Sequence, residues 1–148
     1  MLRCIIVLGL IILLTGCGEK GPLLVPVTGT VTLDGKPIEK ASVTFMPAEG
    51  QPQPASGETD AQGKFKLRTT IGPKDYVGAL PGKFLVIITK STLSGATADA
   101  NGLSTGVSPE GIKIEWIIPE KYSKTNTSEL TSKVEPSMAP ADFALKGE

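Results

Sequence analysis

Hydrophobic and polar positions divide the chain into an unbroken apolar run at its start and a series of short alternating stretches after it. From Val27 the alternation has period two: Val27, Gly29, Val31 and Leu33 interleave with Thr28, Thr30 and Thr32, the pattern of a half-buried strand. Asp34-Gly35 follows, a hairpin signal because both central residues of a type I′ turn need positive φ. Ala41, Val43 and Phe45 against Ser42, Thr44 and Met46 predict a second strand, closed by Pro47. Residues 48–57 show no periodicity and are expected to form a loop.

The same signals continue downstream. Asp60 and Gly63 mark a tight turn before a strand over 64–69 whose inward residues are Phe65 and Leu67. After Pro81-Gly82, residues 84–89 are apolar on both faces, which predicts a central, covered strand. Residues 91–111 are Ser, Thr, Gly, Ala and Asn with few apolar positions, and a structureless spacer is expected there in preference to a partner-binding loop that orders on contact. Ile112, Ile114, Trp116 and Ile118 restore the alternation, and Trp116 is expected in the core with them. Short strands over 130–134 and 142–145 complete the set. No helical period is evident after residue 17. The pattern therefore predicts an all-β, antiparallel, seven-stranded sandwich over residues 27–148.

The start of the chain obeys different rules. Met1-Leu2-Arg3 is short and positive, and residues 4–14 are apolar except for Gly9. That run is too short for a spanning helix, which needs roughly 18–20 residues, and suits the core of a signal peptide. Leu14-Thr15-Gly16-Cys17 places small residues directly before a cysteine, as in bacterial lipoprotein signals. Residues 1–16 are thus expected to be removed by signal peptidase, which recognises Leu14, Thr15 and Gly16. Cys17 would then carry fatty acyl chains such as palmitate. Two or more chains hold a protein to a membrane almost irreversibly. Residues 17–26 read as the acylated cysteine and a tether. The expected location is the cell envelope, at a periplasmic or outer-membrane surface; Gly18, where inner-membrane lipoproteins often carry Asp, points to the outer membrane.

Composition narrows the chemistry. The chain has 15 basic and 15 acidic residues, so loss of Arg3 with the leader leaves a charge near −1 and no basic field for nucleic acid. Cys4 would leave with the leader and Cys17 would be acylated, so neither a disulfide nor a free thiol is expected. Histidine is absent, which removes the usual general base and the usual zinc ligand. No Gly-x-Ser-x-Gly elbow is present. Asp99-Ala100-Asn101-Gly102 resembles the start of a calcium loop but lacks the later acidic ligand, so a turn is expected and no metal or other cofactor. An inter-strand Lys–Asn isopeptide bond has no Lys on the first strand and no Asn on the last. Asn126-Thr127-Ser128 matches a glycosylation sequon, without weight in a bacterial lipoprotein. Of the aromatic side chains that could stack a ligand such as a sugar, Trp116 continues the apolar face of Ile114 and is assigned to the core, while Tyr76, in an expected loop, and Tyr122 remain as candidate platforms.

Gly29-x-Val31, Asp34-Gly35-Lys36-Pro37-Ile38, Ala41-x-Val43-x-Phe45, Thr59-Asp60-x-x-Gly63-x-Phe65 and Pro81-Gly82-Lys83-Phe84 occur in that order. Together they resemble the carboxypeptidase regulatory-like domain, a transthyretin-like, Ig-like sandwich. Ile118-Pro119-x-Lys121-Tyr122 and the Leu-x-Ser-x-Val stretch at 130–134 resemble the small lipoproteins of this type that planctomycete genomes encode. The resemblance implies a seven-stranded sandwich and no activity of its own, since in carboxypeptidases this domain is an accessory. The expectation is a membrane-anchored, non-catalytic interaction or structural module whose partner is an envelope protein or a polysaccharide. The competing class is an envelope enzyme, or a subunit of one, with a Ser/Lys/Asp site.

Overall fold

The computed structural model describes residues 21–50, 53–94, 96–98, 104–107, 111 and 113–147. Cys17 and the residues before it lie outside them, as does Asp99-Ala100-Asn101-Gly102. No helix among the described residues is long and apolar enough to cross a membrane.

The protein is all-β. The first alternating stretch forms β1 (Thr28–Leu33), and Asp34-Gly35 turns it into β2 (Lys36–Pro37) with φ of 50° and 78°, as the type I′ signal requires. β3 (Ser42–Pro47) buries Val43 and Phe45 and leaves Ser42 outside. Asp60 organises the next turn through Oδ1, which accepts from the N–H groups of Gln62 and Lys64 at 2.9 Å each. The chain then runs through β5 (Lys64–Lys66) and β6 (Arg68–Ile71) as one nearly continuous strand. β5 pairs with β1, while β6 pairs with β4 (Ala55–Glu58) and β7 (Lys74–Val77). That strand thus changes sheets at Leu67, which is fully buried.

Two sheets result. One contains β14 (Phe143–Leu145), β1 and β2, with β5 also on β1. The other runs β13-β8-β3-β4-β6-β7, with β8 at Gly82–Thr89 and β13 at Thr131–Val134. They share one apolar core, an arrangement consistent with a β-sandwich. At its centre Phe45 of β3 meets Phe65 of β5, Phe84 of β8 and Phe143 of β14 at ring-centroid distances of 6.5, 5.8 and 6.1 Å. The buried hydroxyls all bond the main chain: Thr59 Oγ1 accepts from Ala41 N at 2.8 Å, Thr69 Oγ1 donates to Gly78 O at 2.7 Å, and Ser128 donates to Val86 O. Among the described residues no buried polar side-chain atom lacks a partner.

Several expectations are corrected. The described residues hold fourteen strand segments rather than seven strands, and β1 pairs with β14 in parallel. The end of the expected 48–57 loop, from Ala55, already belongs to β4, a polar Ala-Ser-Gly-Glu segment held by β3's main chain and invisible to apolar periodicity. Tyr76 lies on β7, which a Gly72-Pro73 turn joins to β6. β8 is internal, but Leu85 and Ile87 stay half-exposed because no third layer covers the outer face. Most of all, the expected spacer over 91–111 includes paired strands: β9 (Ser91–Ser94), β10 (Ala96–Ala98) and β11 (Ser104–Val107). β10 pairs with β11, and β9 with β12 (Lys113–Trp116), so a two-stranded ribbon leaves the body after β8.

Two glycines set the chain's close approaches. A Cβ at Gly29 would stand 2.0 Å from the carbonyl oxygen of Ala141, where the last segment is clasped by Ala141 N donating to Thr28 O. Around Gly35 nothing lies within 4 Å, and only its positive φ resists a side chain. Gly29→Ala is expected to destabilise the protein by about 3 kcal/mol or more, since backbone must move, and Gly35→Ala by about 1 kcal/mol. Phe45→Ala should cost about 3–5 kcal/mol. Urea unfolding followed by circular dichroism measures all three, and equal losses at Gly29 and Gly35 would contradict the clasp.

Candidate functional site

Apolar surface kept in water marks the region around the ribbon. In the β9–β12 ladder Ile114 is paired with Leu93 and Trp116 with Ser91, so period two places Leu93, Ile114 and Trp116 on one face. Thr92, Ser94, Lys113 and Glu115 occupy the other, where Ser94 Oγ donates to Glu115 Oε1 at 3.3 Å. The apolar face is exposed: Leu93 is 68%, Ile114 56% and Trp116 39% accessible. The expected core placement of Trp116 is therefore corrected. Its alternation with Ile114 is real, but the ribbon has left the sandwich, and no opposite sheet covers the shared face.

The ribbon's base is fixed by several bonds. Lys90 O accepts from Ile117 N at 2.9 Å and from Ile118 N at 3.2 Å, and Lys90 Nζ donates to Glu39 O at 2.6 Å. Ile118, fully buried, returns the chain to the core. Pro119 then leads into a short 3-10 helix over Glu120–Ser123, in which Ser123 Oγ donates to Glu120 O at 2.7 Å. Tyr122 OH joins this helix to the C-terminal segment, accepting from Lys146 N at 3.2 Å and donating to Lys146 O at 3.4 Å. Gly147 N donates to Asp34 Oδ1 at 3.1 Å and ties the same segment to the β1–β2 turn.

These parts enclose a groove of about 580 Å³ lined by Trp116, Ile117, Pro119, Glu120, Lys121 and Gly147. One exposed indole stands beside a carboxylate and an amine. The Glu120 carboxylate already holds Lys124 at 2.7 Å, and the Lys121 ammonium lies 5.1 Å from the centre of the Tyr122 ring. Both contacts are solvent-exposed and weak, so either charge can turn to a ligand at little cost. Such a groove can stack an apolar or sugar ring on Trp116 and hydrogen-bond its edge.

The other candidates fall elsewhere. Tyr122 packs partly into the core and serves the C-terminal tie. Tyr76 is half-exposed on β7, at the far edge of the six-stranded sheet. The strand order separates it from β8, against which the 3-10 helix packs, by four strand spacings of about 5 Å, so the two tyrosines share no surface. Arg68 lies in shallow polar depressions on the outer face of that sheet, with Ser56 and Thr70. No group of three or more metal-ligating side chains occurs among the described residues. Ile117 and Glu120 were not evident as site residues from sequence, and Trp116, one of the aromatic candidates there, was assigned to the core. Alternation shows which residues share a face, and it does not show whether that face meets a core.

Comparison with protein-family models, with characterised proteins and with solved structures finds no match.

The geometry separates the two aromatic residues of this region by role. Trp116→Ala should leave the unfolding midpoint within about 1 kcal/mol of the parent, because its ring is only partly covered. Tyr122→Phe should lose about 1 kcal/mol with its two bonds to Lys146. A Trp116→Ala loss as large as that of Phe45→Ala would return the indole to the core.

Proposed function

We infer that the chain is a lipoprotein of the cell envelope whose β-sandwich, transthyretin-like in plan, works as a non-catalytic interaction module. The observation that carries this reading is the exposed apolar face of the ribbon with the Trp116 groove at its base. Apolar side chains in water are a liability unless something binds them. The leader pattern at Leu14-Thr15-Gly16-Cys17 supplies the membrane, through acylation of Cys17.

The placement of the two functional parts fits a tethered module. The described chain enters the body at Val25, bridged to Ala79 just before β8 begins. The ribbon leaves from Lys90, where β8 ends, so an eight-residue strand of about 27 Å separates them. A lipid on Cys17 would hold the entry end to the membrane and leave the ribbon end for partners. An envelope protein suits the apolar ribbon face. A polysaccharide is the second reading, favoured by the indole beside Glu120 and Lys121 in the groove.

Two measurements test this. Mass spectrometry of the native N-terminus is expected to find Cys17 first and acylated, and Cys17→Ser should accumulate uncut precursor in the membrane. A chain starting elsewhere would end the lipoprotein reading. Affinity capture from solubilised envelope should recover a stoichiometric partner that Trp116→Ala loses at least tenfold. Turnover of envelope substrates by the purified protein would overturn the non-catalytic reading.

A further inference from the structure

The outer face of the six-stranded sheet holds a second surface, polar where the ribbon is apolar. We propose that the hollow around Arg68 binds an acidic polysaccharide, with one sugar carboxylate on the Arg68 guanidinium and an uncharged sugar beside it. This goes beyond the ribbon and the Trp116 groove, and it requires neither them nor the anchor.

Strand register builds the hollow. Thr44 of β3 stands opposite Ile87 of β8 and Ser56 of β4, Ser56 opposite Arg68 of β6, and Arg68 opposite Val77 of β7. One row of side chains thus crosses five strands on the face that no third layer covers. Its middle members, Thr44 and Ser56, are short, so the surface dips beside the longer Arg68. Two depressions result, of about 350 and 390 Å³, and both are lined by Ser56, Arg68 and Thr70.

The polar groups of this hollow are unengaged. Glu58 and Asp75 line the first depression with Arg68, yet among the described residues neither forms an ion pair with it. Asp75 Oδ1 accepts instead from Thr70 Oγ1 at 2.6 Å. Ser42, Thr44 and Ser56 have no side-chain hydrogen bond among the described residues, whereas the hydroxyls of Thr59, Thr69, Ser123, Thr127 and Ser128 all bond main chain. Arg68 is no guard of an open edge, because β6 is paired on both sides. A free guanidinium presents paired N–H donors that match a carboxylate and is more weakly hydrated than an ammonium.

Charge selects the occupant. In the second depression, with Thr44, Met46 and Gln53, Arg68 is the only charged group, so a carboxylate can settle there unopposed. In the first, Glu58 and Asp75 repel an anion but accept hydrogen bonds from sugar hydroxyls. A charged sugar next to an uncharged one satisfies both, whereas a uniformly charged chain sets a second carboxylate against the two acids. A protein partner fits less well, since neither depression is lined by the aromatic anchors on which such interfaces depend.

Isothermal titration calorimetry of the full-length protein in mild detergent tests this with defined tetrasaccharides. One alternates glucuronate and N-acetylglucosamine, a second is the same chain with its carboxylates reduced to alcohols, and a third is galacturonate throughout. The alternating chain should bind, and reduction should weaken it by about tenfold or more, through loss of a charge-assisted pair. Arg68→Gln should lose as much, and Arg68→Lys should also lose affinity because an ammonium cannot make the paired contact. Ser56→Leu, which fills the dip, should weaken binding too. Both positions are exposed, so these variants should melt like the parent. Trp116→Ala should bind the alternating chain unchanged. Absence of binding, or binding indifferent to Arg68→Gln or to reduction, would overturn the proposal. So would equal binding of the galacturonate chain or of a tetraglutamate peptide, which would reduce the effect to charge alone. Loss on Trp116→Ala with Arg68→Gln silent would overturn it in favour of the groove, and any of these failures leaves the ribbon to be judged by its own capture experiment.

Discussion

Phe45 is the contact on which the fold depends. It is buried from β3, and its ring touches the three other phenylalanines of the chain, one from its own sheet and two from the opposite one. Phe65 and Phe143 stack on each other beside it, with 6.1 Å between centroids. Each ring arrives from a different part of the sequence, so this cluster fixes how the two sheets face each other. The sheet-switching strand and the parallel β1–β14 pair are the backbone paths that bring those rings together. Aromatic rings supply large buried area and favour tilted or edge contacts, and the tilts of 47° to 76° about Phe45 are of that kind.

The parts of the fold that were legible in the sequence are those where period two coincides with a core. β1, β3, β5 and β8 were plain because Val, Phe and Ile recur on one face, and the turns at Asp34-Gly35 and Asp60 to Gly63 were plain because they need particular backbone angles. β4 and β7 were hidden, since Ala-Ser-Gly-Glu and Lys-Asp-Tyr-Val carry little alternation and owe their pairing to neighbouring main chain. The parallel β1–β14 pair was hidden because no local signal reports a contact between the first strand and the last. The site was legible only in part. Trp116 was visible as a member of an apolar stripe, yet its exposure depends on where β8 ends and the ribbon departs.

The body and the ribbon obey different physics. In the body, every buried polar side chain is answered by main chain and apolar faces are covered from the opposite sheet. The ribbon has no opposite sheet, and its order comes from its ladder and from Lys90 and Ile118 at its base. That contrast leaves its exposed apolar residues without a packing explanation, while comparable residues in β3 or β8 form the core. A Leu on a covered strand is explained by the core, whereas Leu93 is not.

The clasp at Gly29 has a consequence for timing. β1 is among the first strands to be synthesised, and its neighbour β14 is the last. Until residues 141–145 exist, one side of β1 is bare and Phe45 lacks one of its three aromatic neighbours. The sheet that holds β1 therefore closes only once residues 141–145 have been made. Phe45 can gather Phe65 and Phe84 before that point but not Phe143, so the core waits on a ring that lies nearly a hundred residues downstream of the one it packs against.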